Sequence, residues 1–182
     1  MKKSILVTFV FLFCIPICSA NASFEVYELG HANFYWNMPK IEVLETIHQF
    51  QNKLEKSGGR STLDTSNSSL PVLICEGSLE RPHNRLYKNK YIFQFEKDKL
   101  VKVELTIDMG PKKAGGAFRY YVGTKKEAMD MEFDDIKDLF TLKYGSPEIS
   151  QTTKAGWSTD NNIIILNNYS IAHQIKIKYL LK

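Results

Sequence analysis

Thr124-Lys125-Lys126-Glu127 opens, and Tyr144-Gly145-Ser146-Pro147 closes, the stretch whose reading decides the fold; Trp157 and Ile163-Ile164-Ile165-Leu166 follow it. Thr124 with Glu127 three residues on forms a capping box, in which hydroxyl and carboxylate each satisfy an amide left open by the first helical turn. Gly145 stands where a left-handed residue closes a helix, and Pro147 forbids continuation. Between these ends Met129, Phe133, Ile136, Leu139 and Phe140 are assigned to one face, with Asp130, Glu132, Asp134, Asp135 and Asp138 mostly away from it. The spacing predicts an amphipathic helix followed by strands.

Downstream, three strands are predicted at about 148–157, 162–166 and 171–181, separated by turns at Ser158 to Asn161 and Asn167 to Ser170. The last one places Ile171, His173, Ile175, Ile177, Tyr179 and Leu181 on one face. Upstream, Tyr91, Phe93 and Phe95 alternate with Ile92, Gln94 and Glu96. Lys97 to Lys99 turns the chain, and Val101, Val103, Leu105 and Ile107 alternate with Lys102, Glu104, Thr106 and Asp108. Such a pattern predicts a hairpin with one buried and one wet face. Leu70 to Glu76 reads as a buried strand, Ser57 to Ser69 as a polar loop, and Ser23 to Leu29 as a short edge strand. Ile41, Val43, Leu44, Ile47, Phe50 and Leu54 recur at helical spacing behind Pro39, which is tolerated in a first turn. Trp36 and its aromatic neighbours are expected to pack over the start of that helix.

End to end, the chain reads as helix, three strands, helix, three strands. The expected class is α+β, with helices packed on an antiparallel sheet and a tandem helix-plus-three-strand repeat whose halves are 38–107 and 124–181. Residues 23–182 form one globular domain in this reading, long enough for a substantial core.

Residues 1–22 read as a signal peptide. Lys2 and Lys3 precede an apolar run from Ile5 to Ile17, and Ala20-Asn21-Ala22 supplies a small-x-small cleavage pattern, with cleavage expected after Ala22. The run is short for a bilayer span, and no second long apolar segment follows in the mature chain. A periplasmic or secreted location is expected. Loss of Lys2 and Lys3 lowers a formal net charge of +4 toward neutrality. The remaining basic residues are interleaved with acids, so no footprint for nucleic acid exists. Cys14 and Cys18 lie in the leader, and Ile17 before Cys18 departs from the small residue a lipid-attachment signal uses. Cys75 alone remains, which rules out an intrachain disulfide in the mature chain.

The candidate binding residues fall on two irregular loops. Arg81, His83 and Arg85 lie in the loop 77–89, where arginine forks match planar anions. Lys112 and Lys113 lie in a glycine-rich basic loop that leads into Arg119, Tyr120 and Tyr121, residue types enriched at protein contacts. The glycine spacing is not that of a phosphate cradle, and the acidic residues of the second helix lack a histidine partner, so neither a cofactor nor a metal is expected. No set of nucleophile, base and orienting group emerges, and no catalytic residue is assigned.

A helix ending in Lys-Tyr-Gly-x-Pro (143–147), a Trp strand and an Ile-rich strand, with a Trp-x-Met-Pro helix entry (36–39) and Phe-x-Phe-x-x-x-x-Leu (93–100), resembles small exported bacterial proteins. The duplicated helix-plus-meander plan is similar to beta-lactamase-inhibitor-like and outer-membrane-assembly-lipoprotein modules. That resemblance implies a binding module whose sheet face contacts another protein, and it supplies no catalytic residue. The expectation is an exported non-catalytic interaction protein of the bacterial cell envelope, acting through sheet face and loops. The alternative is a small periplasmic hydrolase or thiol enzyme using Cys75 with a histidine, or an anion site at Arg81, His83 and Arg85. Glycan binding through Trp36, Tyr120 and Tyr121 is a third reading.

Overall fold

A computed structural model describes residues 23–29, 32–57, 60–61, 64–67, 72–80, 88–108 and 125–182. The class is α+β with strands predominating. In chain order the elements are β1 (Ser23–Glu25), β2 (Asn33–Tyr35), α1 (Lys40–Lys56), β3 (Arg60–Ser61), β4 (Asp64–Asn67), β5 (Val72–Glu80), β6 (Lys88–Glu96) and β7 (Lys99–Asp108). Then come α2 (Lys125–Tyr144), β8 (Ile149–Gln151), β9 (Lys154–Ser158), β10 (Asn162–Tyr169) and β11 (Gln174–Leu181).

Seven of these strands form one antiparallel sheet in the order β5-β6-β7-β11-β10-β9-β8, and the short β3 and β4 both pair with β5. The two halves meet where β7 pairs with β11, so the last strand lies in the middle of the sheet. β1 and β2 form a separate hairpin.

Register turns the alternating sequence into rows. Leu73, Phe93, Val103, Tyr179, Ile164 and Trp157 stand opposite one another across six strands, and so do Cys75, Tyr91, Leu105, Ile177, Leu166 and Ala155. All twelve are buried. Because side chains alternate between faces, the residues between them form a second set of rows on the opposite side. The buried rows are covered by α1, α2 and the β1–β2 hairpin, whose Val43, Ile47, Phe50, Met129, Phe133, Ile136, Phe140, Phe24 and Phe34 join the same core.

Specific contacts lock this layer. Phe24 stacks on Trp36 at 4.3 Å, Phe34 meets Phe93 at 5.4 Å, and Phe140 meets Trp157 edge to face at 5.4 Å. The Trp36 indole donates to Asn162 Oδ1 at 2.5 Å, so Trp36 is a buried pillar. The backbone N–H of Tyr27 donates to the Tyr179 hydroxyl at 2.9 Å. Burial pushes the hydroxyls of Tyr27 and Tyr179 above their ordinary value of 10.0.

The stretch after α2 behaves as its chemistry dictates. Gly145 adopts φ 85° and donates its N–H to Thr141, while its carbonyl accepts the Trp157 indole N–H at 3.0 Å. The closing glycine thus anchors the helix end to β9. Lys97 and Asp98 both take positive φ (50° and 64°), the geometry of a two-residue hairpin turn.

Several expectations need correction. The predicted strand 148–157 is two strands, β8 and β9, folded about Thr152-Thr153, so the second half has four strands rather than three. The first predicted strand, Ser23 to Leu29, stops at Glu25, and Glu28 sits at φ 66°. The polar loop 57–69 contains β3 and β4. A register shift opposite Gln94 and Phe95 buries Leu100 instead of Val101. Ile41 and Leu139 are exposed, because at 100° per residue they fall off the buried stripes of their helices. His173 is a left-handed turn residue before β11, with its Nδ1 unpartnered, and Ile171 beside it is almost wholly exposed.

Candidate functional site

The candidate binding residues Arg81, His83, Arg85, Lys112, Lys113, Arg119, Tyr120 and Tyr121 all lie outside the described residues. Two other candidates can be placed. Cys75 is 1 % exposed in a buried row with Tyr91 and Leu105, where a thiol packs as a small apolar side chain. Trp36 is 4 % exposed, which removes it from any external aromatic platform for glycan.

The surface that the fold leaves for function is the second side of the sheet. None of the helices packs there among the described residues, and β5, β6, β7, β11 and β10 all present half-exposed side chains on it. One row reads Ile74, Ile92, Glu104, Lys178, Ile165 and Gly156 across six strands; the next reads Val72, Gln94, Lys102, Leu180, Ile163 and Ser158. Aliphatic side chains therefore flank an ionic centre. Glu104 lies 3.5 Å from Lys102 and 3.9 Å from Lys178, and its side chain is 17 % exposed. Half-exposed lysines lay their stems along neighbouring aliphatics while keeping the ammonium in water.

A third row, Glu76, Lys90, Thr106, Lys176, Asn167 and Lys154, is more polar. Glu76 pairs with Lys90 at one end, and Lys176 stands over the Tyr169 ring at 5.5 Å near the other. At this edge Glu76, Lys88, Lys90, Thr106, Asp108 and Gln174 line an open depression of about 370 Å³.

Charge on this face is unevenly divided. The carboxylates Glu76, Glu104 and Asp108 all belong to β5 and β7, whereas the open side of β8 to β11 carries Lys154, Lys176 and Lys178 and no acid. Ile149, Ile163, Ile165 and Leu180 lie among those lysines; Ile149 reaches over Gly156, whose missing side chain leaves it room. The sequence displayed the wet side of the β6–β7 hairpin, but the assembly of rows across six strands was hidden. It depends on β7 pairing with β11, whose facing residues Leu105 and Ile177 are 72 positions apart and separated by α2.

Among the described residues no cluster of His, Cys, Asp or Glu is arranged to hold a metal, and no helix is long and apolar enough to cross a membrane. Of the acidic residues of α2, Asp134, Asp135 and Asp138 are exposed and Asp130 is tied to Lys126 and to Asn168, but Glu132, expected to face outward, is buried and accepts a hydrogen bond from the Tyr27 hydroxyl. No protein-family model, curated protein or solved structure matches this chain.

Proposed function

We propose that this chain is an exported, non-catalytic binding protein of the bacterial cell envelope, periplasmic or secreted, which grips a protein partner through the open face of its sheet and the adjoining loops. The observation that carries the reading is a sheet covered on one side by two helices and a hairpin and, among the described residues, by no helix on the other, where six aliphatic side chains (Val72, Ile74, Ile92, Ile163, Ile165, Leu180) stay partly exposed around an ionic centre. Uncovered aliphatic surface rimmed by polar groups is the usual mark of an interaction site. Burial of Cys75 weighs against the thiol-enzyme alternative, since a reactive thiolate needs access and a polarising neighbour. The meeting of β5-β6-β7 with β9-β10-β11 across an antiparallel seam supports reading the halves as a duplication, each extended at its outer edge by short strands, β3 and β4 on the first and β8 on the second.

The test is a photo-cross-linker placed at Ile92 or Ile165, with Leu142 on the outside of α2 as control, in cells that export the protein. A discrete adduct from the sheet positions and none from Leu142 is expected, together with a mature N-terminus at Ser23. Adducts that form equally from all three positions, or a full-length product retained in the cytoplasm, would sink the proposal.

A further inference from the structure

The open face says something about the partner as well as about its own existence. Resting on the reading above, we infer that the β9-β10-β11 half of this face receives an acidic amphipathic helix, with aliphatic side chains and carboxylates on its docking side. Three observations lead there. First, the charge this half contributes is of one sign: Lys154, Lys176 and Lys178 project from it, Lys178 being offset by Glu104 across the β7–β11 seam, and the acids of the open face sit on β5, β6 and β7. Opposite charge on the partner is then attractive, and a basic partner would be repelled.

Second, the spacing is helical. Lys176 and Lys154 flank Asn167 in one row, two strand separations apart, which is about 10 Å. Carboxylates seven residues apart on a helix are separated by about 10.5 Å along its axis. A helix laid along that row therefore meets both lysines with one face. Third, the next row supplies Ile165, two residues further along β10 and so about 7 Å away, with Ile149 in the same row over Gly156. Apolar side chains at the third and fourth positions of the same helix reach them. The opposite side of the sheet already shows how a helix is accepted: α2 packs its apolar stripe on β10 and β11. An incoming helix adds the third layer.

An anionic lipid surface shares the attraction for lysine, but the neighbouring half of the same face offsets its lysines with Glu76, Glu104 and Asp108, so a flat layer of anionic headgroups would gain little there. A helix of limited width avoids them. The contact is small, so binding depends on its charges and weakens with salt, as the screening length falls to about 8 Å at physiological ionic strength.

The experiment selects binders from a displayed library of stable helical miniproteins, randomised over one face, against the exported protein. Recovered helices are expected to carry Asp or Glu seven apart with Leu, Ile or Met between, and Lys154→Glu with Lys176→Glu should weaken them at least tenfold while leaving the thermal melt unchanged. Lysine at the two acidic positions of the helix should restore binding to that variant. Recovered helices that are neutral or basic, or indifferent to the lysine variants, or no recovered helix at all, overturn the inference; the cross-linking from Ile92 and Ile165 then decides the broader reading separately. Retention on phosphatidylglycerol vesicles, or concentration-dependent self-association, that the same two substitutions abolish would assign the face to a lipid surface or to a second copy and would also overturn it.

Discussion

The two faces of the sheet are built from neighbouring residues of the same strands, yet they obey different rules. On the covered face Leu73, Cys75, Tyr91, Phe93, Val103, Leu105, Ile177 and Tyr179 are at most 1 % exposed and share one core with the helices and the β1–β2 hairpin. On the open face Ile74, Ile92, Lys102, Glu104, Lys178 and Ile165 stay partly exposed. Stability is therefore concentrated on one side, and the other is freer to vary. A position's face, rather than its hydrophobicity, decides what its substitution does: Ile92 and Phe93 are adjacent in sequence and belong to opposite categories.

The largest expected effect tests that contrast directly. Phe93→Ala, which empties a buried ring site beside Phe34, should cost about 3–5 kcal/mol in urea unfolding. Ile92→Ala should cost less, about 1–2 kcal/mol, because its side chain keeps part of its surface in water where Phe93 keeps none. Equal losses would erase the distinction between the faces. The covered face also predicts an alkaline limit. Tyr27 and Tyr179 keep their protons in the folded protein above pH 10, where an unfolded chain releases them. The folded state then binds more protons than the unfolded one, so stability falls as pH rises beyond 10, by about 1.4 kcal/mol per pH unit for each tyrosine. Urea midpoints at pH 9 and 11 measure this fall, and Tyr27→Phe should reduce its slope.

Smaller effects sharpen the picture. Trp36→Phe keeps most of the stacking on Phe24 but orphans the Asn162 carbonyl, a loss of about 1–2 kcal/mol by chemical denaturation. At the rim shared by both faces, replacing Lys97-Asp98 with Asn-Gly relieves two positive-φ side chains. A gain of about 0.5–1 kcal/mol in the same assay is expected.

Much of the fold was legible because its signals are local. The closing glycine of α2, the β6–β7 alternation and the apolar stripe of α1 each act within a few residues, so their chemistry can be read in sequence. Failures came where a distant partner overrides the local pattern. Val101 looked like a core residue until the register shift against β6 buried Leu100 instead. Trp36, readable either as a ligand platform or as packing, took the second role because Phe24 and Asn162 close on it. The irregular loops drew attention for their arginines, lysines and tyrosines, but those residues lie outside the described ones, and the face the fold exposes is made of ordinary strand positions.

By itself, the sequence determined the closing glycine of α2, the apolar stripe of α1 and the alternation of the strands, since each depends on residue type and short-range geometry. Only the tertiary structure decided that β11 returns to the middle of the sheet beside β7, that both helices share one side, and that lysines from β9 and β11 line up across β10. Those outcomes follow from burying apolar surface between elements far apart in the chain, and no short window of residues contains that information.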